Sequence, residues 1–131
     1  MSRQITCTSA TRQGRMRKAE QFLLAAETIA EILDQQDDPD ISDAYVTLCV
    51  HAGIAASDVA CCKRLGVHPK GQDHAAAISL LAQVDKKASQ HLGVLLDMKD
   101  KAEYSARPVS GTDRKKAVRA ATALVELARD L

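Results

Sequence analysis

Residues 99–104 read Lys-Asp-Lys-Ala-Glu-Tyr, which packs two ammonium groups, two carboxylates and a phenol into six positions. Ammonium groups this close can grip a phosphate or an acidic partner. A solvated helix end has the same composition, so the segment supports both readings. A second set of polar residues interrupts an apolar stretch. His51 and Asp58 are seven positions apart and therefore share one face of a helix. A buried carboxylate needs a partner, and Lys101, Tyr104 and His74 are the candidates. The pair reads either as an internal polar cluster lining a cleft or, more simply, as a satisfied structural hydrogen-bond network.

Metal chemistry finds little support. Asp73 and His74 are adjacent and point apart on a helix, and no Cys-x-x-Cys or His-Glu-x-x-His spacing occurs. Neither a glycine-rich phosphate loop nor a nucleophile elbow is present. No metal and no cofactor are expected. Cys7, Cys49, Cys61 and Cys62 offer no disulfide scaffold, and buried reduced thiols in a cytoplasmic protein are the expectation.

These residues must be positioned by helices. The chain has 131 residues, 46% of them apolar and only 2% aromatic. Ala, Leu and Val carry the packing, which favours helix over strand. A helical pattern starts near Gln13, with Ala19, Phe22, Ala26, Ile29 and Leu33 on one stripe, widened by Leu23 and Ile32. It ends in an acidic loop with a proline, after which Asp40 or Ser42 would cap a second helix over 42–65. That helix is apolar nearly all round, with small residues at its centre. Gly53 there costs about 1 kcal/mol of propensity against Ala, so close packing is its expected reason. Gly66 is the stop signal.

The segment Val67–Gln72 reads as a turn and Asp73 opens a third helix. A fourth runs from about Asp85 to Tyr104, with Ala88, Leu92, Leu95 and Ala102 on its buried face. Ser110 or Thr112 caps a fifth, whose stripe is Ala117, Val118, Ala121, Leu124, Val125 and Ala128. The expected fold is all-α, an up-and-down bundle of about five helices over residues 13–131. Residues 1–12 form a polar arm that is expected to be disordered or frayed. Arg3, Arg12, Arg15, Arg17 and Lys18 make residues 1–18 basic with no acid, which can add affinity for phosphates. The apolar window Ala44–Cys62 contains His51 and Asp58 and reads as a buried helix, with no membrane partner. A net charge of +1 decides nothing about nucleic acid.

The order of parts resembles the HEPN superfamily over about residues 16–131. The first helix carries Lys-Ala-x-x-Phe-Leu-x-x-Ala, and the second is long, rich in small residues and has an early aromatic. A helix starting near a histidine, the Lys-x-Lys-Ala-Glu-Tyr helix end and a capped C-terminal helix with paired alanines follow. The resemblance implies a dimeric helical bundle. Many such proteins are metal-independent RNases of toxin–antitoxin and phage-defence systems, and others are non-catalytic partners of small nucleotidyltransferases. The nuclease motif pairs an arginine with a histidine a few residues later. The arginine grips phosphate and the imidazole moves protons.

Here Lys99 stands at the arginine position, Asp100 at the polar position and Tyr104 at the histidine position. A phenol, with an ordinary pKa of about 10, is a poor proton shuttle near neutral pH. Arg64 and His68 come nearest to the motif, one residue too short and in another element. The resemblance therefore implies a non-catalytic homodimer that binds RNA, a nucleotide or a partner protein around Lys99, Lys101 and Tyr104. The partner would be an antitoxin or a nucleotidyltransferase. Two other readings stand beside it. One is an RNase whose site is rebuilt from Lys99, Asp100, Lys101, Tyr104 or His74. The other is a structural interaction module whose helix end is simply solvated.

Overall fold

A computed structural model describes residues 4–36, 41–71 and 73–131. In chain order the elements are β1 (Gln4–Thr6), α1 (Ser9–Gln36), α2 (Ser42–Leu65), β2 (Val67–Pro69), α3 (His74–Ala82), α4 (Lys86–Tyr104) and α5 (Gly111–Asp130). The five helices form the expected all-α bundle. Helix α2 sits at its centre, packed on α1, α4 and α5 and touching α3 and β2. Its length and apolarity would suit a membrane span, and it is enclosed by protein instead.

The small residues of α2 make that central position possible. Ala52, Gly53, Ala55, Ala56, Val59 and Ala60 are all buried, and neighbouring helices approach closely. A Cβ added at Gly53 would collide with Leu95 Cδ1 and stand 3.2 Å from Leu124 Cδ1. Leu95 and Leu124 are buried at 0% and 1% exposure, so neither can swing aside into solvent. The glycine is thus a packing residue, as its propensity cost suggested. At the far end Gly66 caps α2 in the left-handed region at φ 74°, with its N–H donating to the Cys62 carbonyl.

The other helix ends follow short-range chemistry. Asp73 and Asp85 cap α3 and α4 by accepting from Ala76 and Ala88 N–H. Ser110 and Asp113 form a capping box on α5. Helix α2 differs. Asp40 lies outside the described residues, and Ser42 is not a cap but the buried first helical residue. Its Oγ accepts from Arg114 of α5 at 2.7 Å. The Asp43 carboxylate accepts from Val109 N–H at 2.9 Å, so both tie the start of α2 to the start of α5.

Most of the predicted faces are found. On α1, Ala19, Leu23, Ala26 and Leu33 are buried, with Phe22 and Ile29 packed beside them. Ile32 departs from the pattern and is 43% exposed. The predicted positions of α4 are buried, as are those of α5 apart from the half-buried Val118.

The N-terminal region differs from expectation. Residues 4–6 are a strand rather than a free arm, and α1 starts at Ser9, before Gln13. Val67–Pro69, expected as turn, is the partner strand in an antiparallel pair with Ile5 opposite His68. Cys7, just after β1, is joined by a disulfide to Cys62 in the last turn of α2. This corrects the expectation of four reduced thiols. Two positions 55 residues apart carry no spacing signal, and only the fold brings them together. Cys49 and Cys61 are buried free thiols as expected, each pushed up to about 12, chiefly by burial.

Gly53→Ala gains about 1 kcal/mol of helix propensity but overpacks the core, which typically costs about 1–3 kcal/mol. A net loss of about 1 kcal/mol is expected in urea unfolding, and a variant more stable than wild type would refute the packing role of this glycine.

Candidate functional site

A cleft of about 230 Å3 opens between α2, the β2–α3 connection and α4. Its polar lining comes from His51, Ser57 and Asp58 of α2, Asp73 and His74 at the start of α3, and Lys99 of α4. Ile54, Ala77, Leu92 and Leu96 supply apolar wall, and Pro69 and Gly71 form the rim. Helix geometry explains the α2 contribution: Ile54 and Asp58 follow His51 at steps of three and four, along one stripe. Four residues singled out in the sequence therefore meet in one place: His51, Asp58, His74 and Lys99.

The rest of the Lys99–Tyr104 segment does not join them. Successive helical residues turn by about 100°, so Lys101 sits about 160° around α4 from Lys99, and Tyr104 about 140°. Lys101 Nζ donates to Asp113 Oδ2 of α5 at 2.8 Å. That hydrogen bond, helped by the Ser110 backbone N–H, holds the Asp113 carboxyl below the usual carboxylate range. Asp100 is exposed, with its backbone carbonyl accepting from Ser105 N–H. Glu103 faces α2, with Oε1 buried 3.5 Å from His51 Nε2 and no well-formed hydrogen bond. Tyr104 is 77% exposed. Lys99, Lys101 and Tyr104 thus line no common groove.

The partners of the two α2 polar residues were not those anticipated. Asp58 is held by Arg15 of α1, whose Nε donates to Oδ2 at 3.0 Å, and not by Lys101, Tyr104 or His74. Burial raises the Asp58 carboxyl, and the charges of Arg15 and His68 only partly oppose this. His51 lies 5.6 Å from the Phe22 ring, centre to centre, and reaches towards Glu103. His51 and Asp58 therefore line one cleft with separate partners rather than forming one network. Ser57 Oγ is buried without a well-aligned hydrogen bond, its weak contact being with the Cys61 thiol.

Sequence reasoning missed Arg15 and Glu103. The acid-free run of cations up to Lys18 was a usable signal for Arg15, because a buried Asp58 needs a cation from somewhere. Glu103 had none, since its neighbours in sequence are all polar or small. No group of three or more His, Cys, Asp or Glu side chains that could hold a metal ion occurs among the described residues. Among the described residues the cleft offers the Lys99 ammonium, two imidazoles, the carboxylates of Asp58 and Asp73, and an apolar floor. It has room for a small polar group attached to an apolar body.

No family model matches the chain, and no curated protein is significantly similar to it.

Two electrostatic predictions follow from this geometry. Because the Asp58 pKa is raised, the folded state holds its proton to higher pH than the unfolded chain does. The stability contributed by Asp58 therefore falls as pH rises from about 4 through the raised value. Asp58→Asn lacks that contribution, so its melting temperature should gain on wild type across this window; parallel curves would refute the buried-charge account. Lys101→Ala should raise the Asp113 pKa towards the usual carboxylate value, measured by NMR titration of the side-chain carboxyl.

Proposed function

We propose that the protein is a HEPN-like helical module without nuclease activity that binds RNA or a nucleotide through the cleft at Lys99. The observation that carries this reading is that Lys99, His51 and His74 line one cleft with an apolar floor. Lys99 supplies a point charge for a phosphate, and the imidazoles add donors that are stronger when protonated. Ile54, Leu92 and Leu96 offer a surface for the face of a base. Asp58 repels phosphate less than its position suggests, because Arg15 pairs with it, and the other lining carboxylate, Asp73, accepts from Ala76 N–H at the start of α3. The resemblance of the chain to HEPN proteins adds a homodimer to the proposal, with an antitoxin or a nucleotidyltransferase as the protein partner.

A second reading is favoured by one specific feature. His74 and Lys99 share the cleft, which pairs a proton carrier with a phosphate grip, the two parts a metal-independent RNase needs.

Metal-stripped protein incubated with labelled single-stranded RNA separates these readings when products and mobility shifts are resolved together. The expected result is a shift without cleavage. Lys99→Ala should weaken it about tenfold, the low end for a hydrogen bond to a charged group, while Lys101→Ala and Tyr104→Phe leave it unchanged. Cleavage lost in His74→Ala would establish the RNase. Neither shift nor cleavage would leave a purely structural interaction module.

A further inference from the structure

The rim of the cleft packs on α2 and α3, but β1, the strand paired with it, rests on very little noncovalent structure. Pro69, the last residue of β2, forms part of the rim, and Gly71 lies just beyond. Strand β2 is bracketed by Gly66 at φ 74° and Gly71 at φ 78°, two positions where the chain turns through the left-handed region. Its only strand partner among the described residues is β1, and each strand has three residues. A two-stranded sheet of this size is marginal on its own. All three β1 residues are exposed, Ile5 at 41%, so β1 brings little burial to hold itself in place. One further backbone bond, Cys7 N–H to the Gly66 carbonyl at 2.9 Å, extends the ladder. The strong tie is the Cys7–Cys62 disulfide, which clamps the end of β1 to the last turn of α2 beside the start of β2.

We propose that the Cys7–Cys62 disulfide is a redox latch on the β1–β2 rim, which holds the cleft formed when oxidised and releases the rim when reduced by a dithiol. In the release step a dithiol thiolate attacks one sulfur of the bridge and its second thiol resolves the mixed disulfide. The reductant leaves as a cyclic disulfide, and Cys7 and Cys62 become thiols, having gained two electrons and two protons. Cys7 is the more exposed half of the bridge, which gives the reductant an approach. Cys61, adjacent to Cys62 in sequence, is fully buried and its thiol is held protonated, so internal exchange does not bypass the latch. In a reducing compartment the open form is the resting one and oxidation closes it. The core does not depend on the bridge, because α1, α2, α4 and α5 pack on one another without it.

The mechanical part of this inference stands on the fold, while its effect on affinity rests on the RNA-binding reading above. Hydrogen exchange of the full chain, with and without dithiothreitol, tests the mechanical part with no ligand present. Reduction should bring amides of residues 4–7 and of Val67 and His68 close to unprotected rates while those in α2, α4 and α5 remain protected. Cys7→Ser should behave like reduced wild type and ignore dithiothreitol. Equal rim protection in both redox states would overturn the latch. The labelled RNA shift, repeated in both states, should weaken at least threefold on reduction; equal affinity despite a released rim would remove the regulatory role. A rim that responds while RNA binds in neither state would leave the latch standing and remove the binding reading.

Discussion

The close approach of α2 to α4 and α5 at Gly53 fixes the spacing on which the bundle depends. Leu95 and Leu124 fill the space a side chain would occupy there, and both are fully buried. Burying each such leucine is worth about 1.5–3 kcal/mol, so the contact offsets the helix propensity that glycine gives up. The same small-residue surface lets α1 lie along another side of α2, with Ala19 and Ala26 at 0% exposure. With almost no aromatic residues to fill large gaps, the chain reaches a dense core by narrowing the gaps instead.

A tightly enclosed α2 leaves its polar residues few directions in which to find partners. His51, Ser57 and Asp58 face the side covered by the short α3, the β2–α3 connection and the end of α4 that carries Lys99, and the cleft lies there. Asp58 is kept tolerable by Arg15 from α1 rather than by a residue of α3 or α4. That choice frees His74 and Lys99 to face the cleft without serving as its counter-ions. The cavity is thus lined by acidic, basic and imidazole groups together, with Asp58 already paired from the α1 side.

The distribution of residues 99–104 shows how one polar run can serve several ends. Lys99 faces the cleft, Lys101 braces α5 through Asp113, Ala102 enters the core, Glu103 turns to α2 and Tyr104 meets solvent. A helix forces this divergence by rotating each residue about 100° from the last. Charge density along the sequence is therefore a poor guide to charge density in space. The strand paired with the rim, β1, is exposed and is held by a three-residue ladder and a covalent bridge.

Local chemistry made much of the fold legible in advance. The period of Ala88, Leu92 and Leu95 on α4 and of Ala117, Ala121, Leu124 and Ala128 on α5 is set by helical geometry, and burial of one face follows. Asp73, Asp85 and Ser110 start their helices and Gly66 ends its own through contacts within a few residues, which sequence specifies directly. The candidate residues His51, Asp58, His74 and Lys99 could be named because polar groups in apolar surroundings or at helix ends stand out. Which of them meet, and what each one pairs with, depended on how α1, α3 and α4 dock around α2. The Arg15–Asp58 pair spans 43 residues, the Ser42–Arg114 bond 72 and the Cys7–Cys62 bridge 55. Contacts of that range are fixed by packing and loop closure, not by propensity, so the tertiary structure alone decided them.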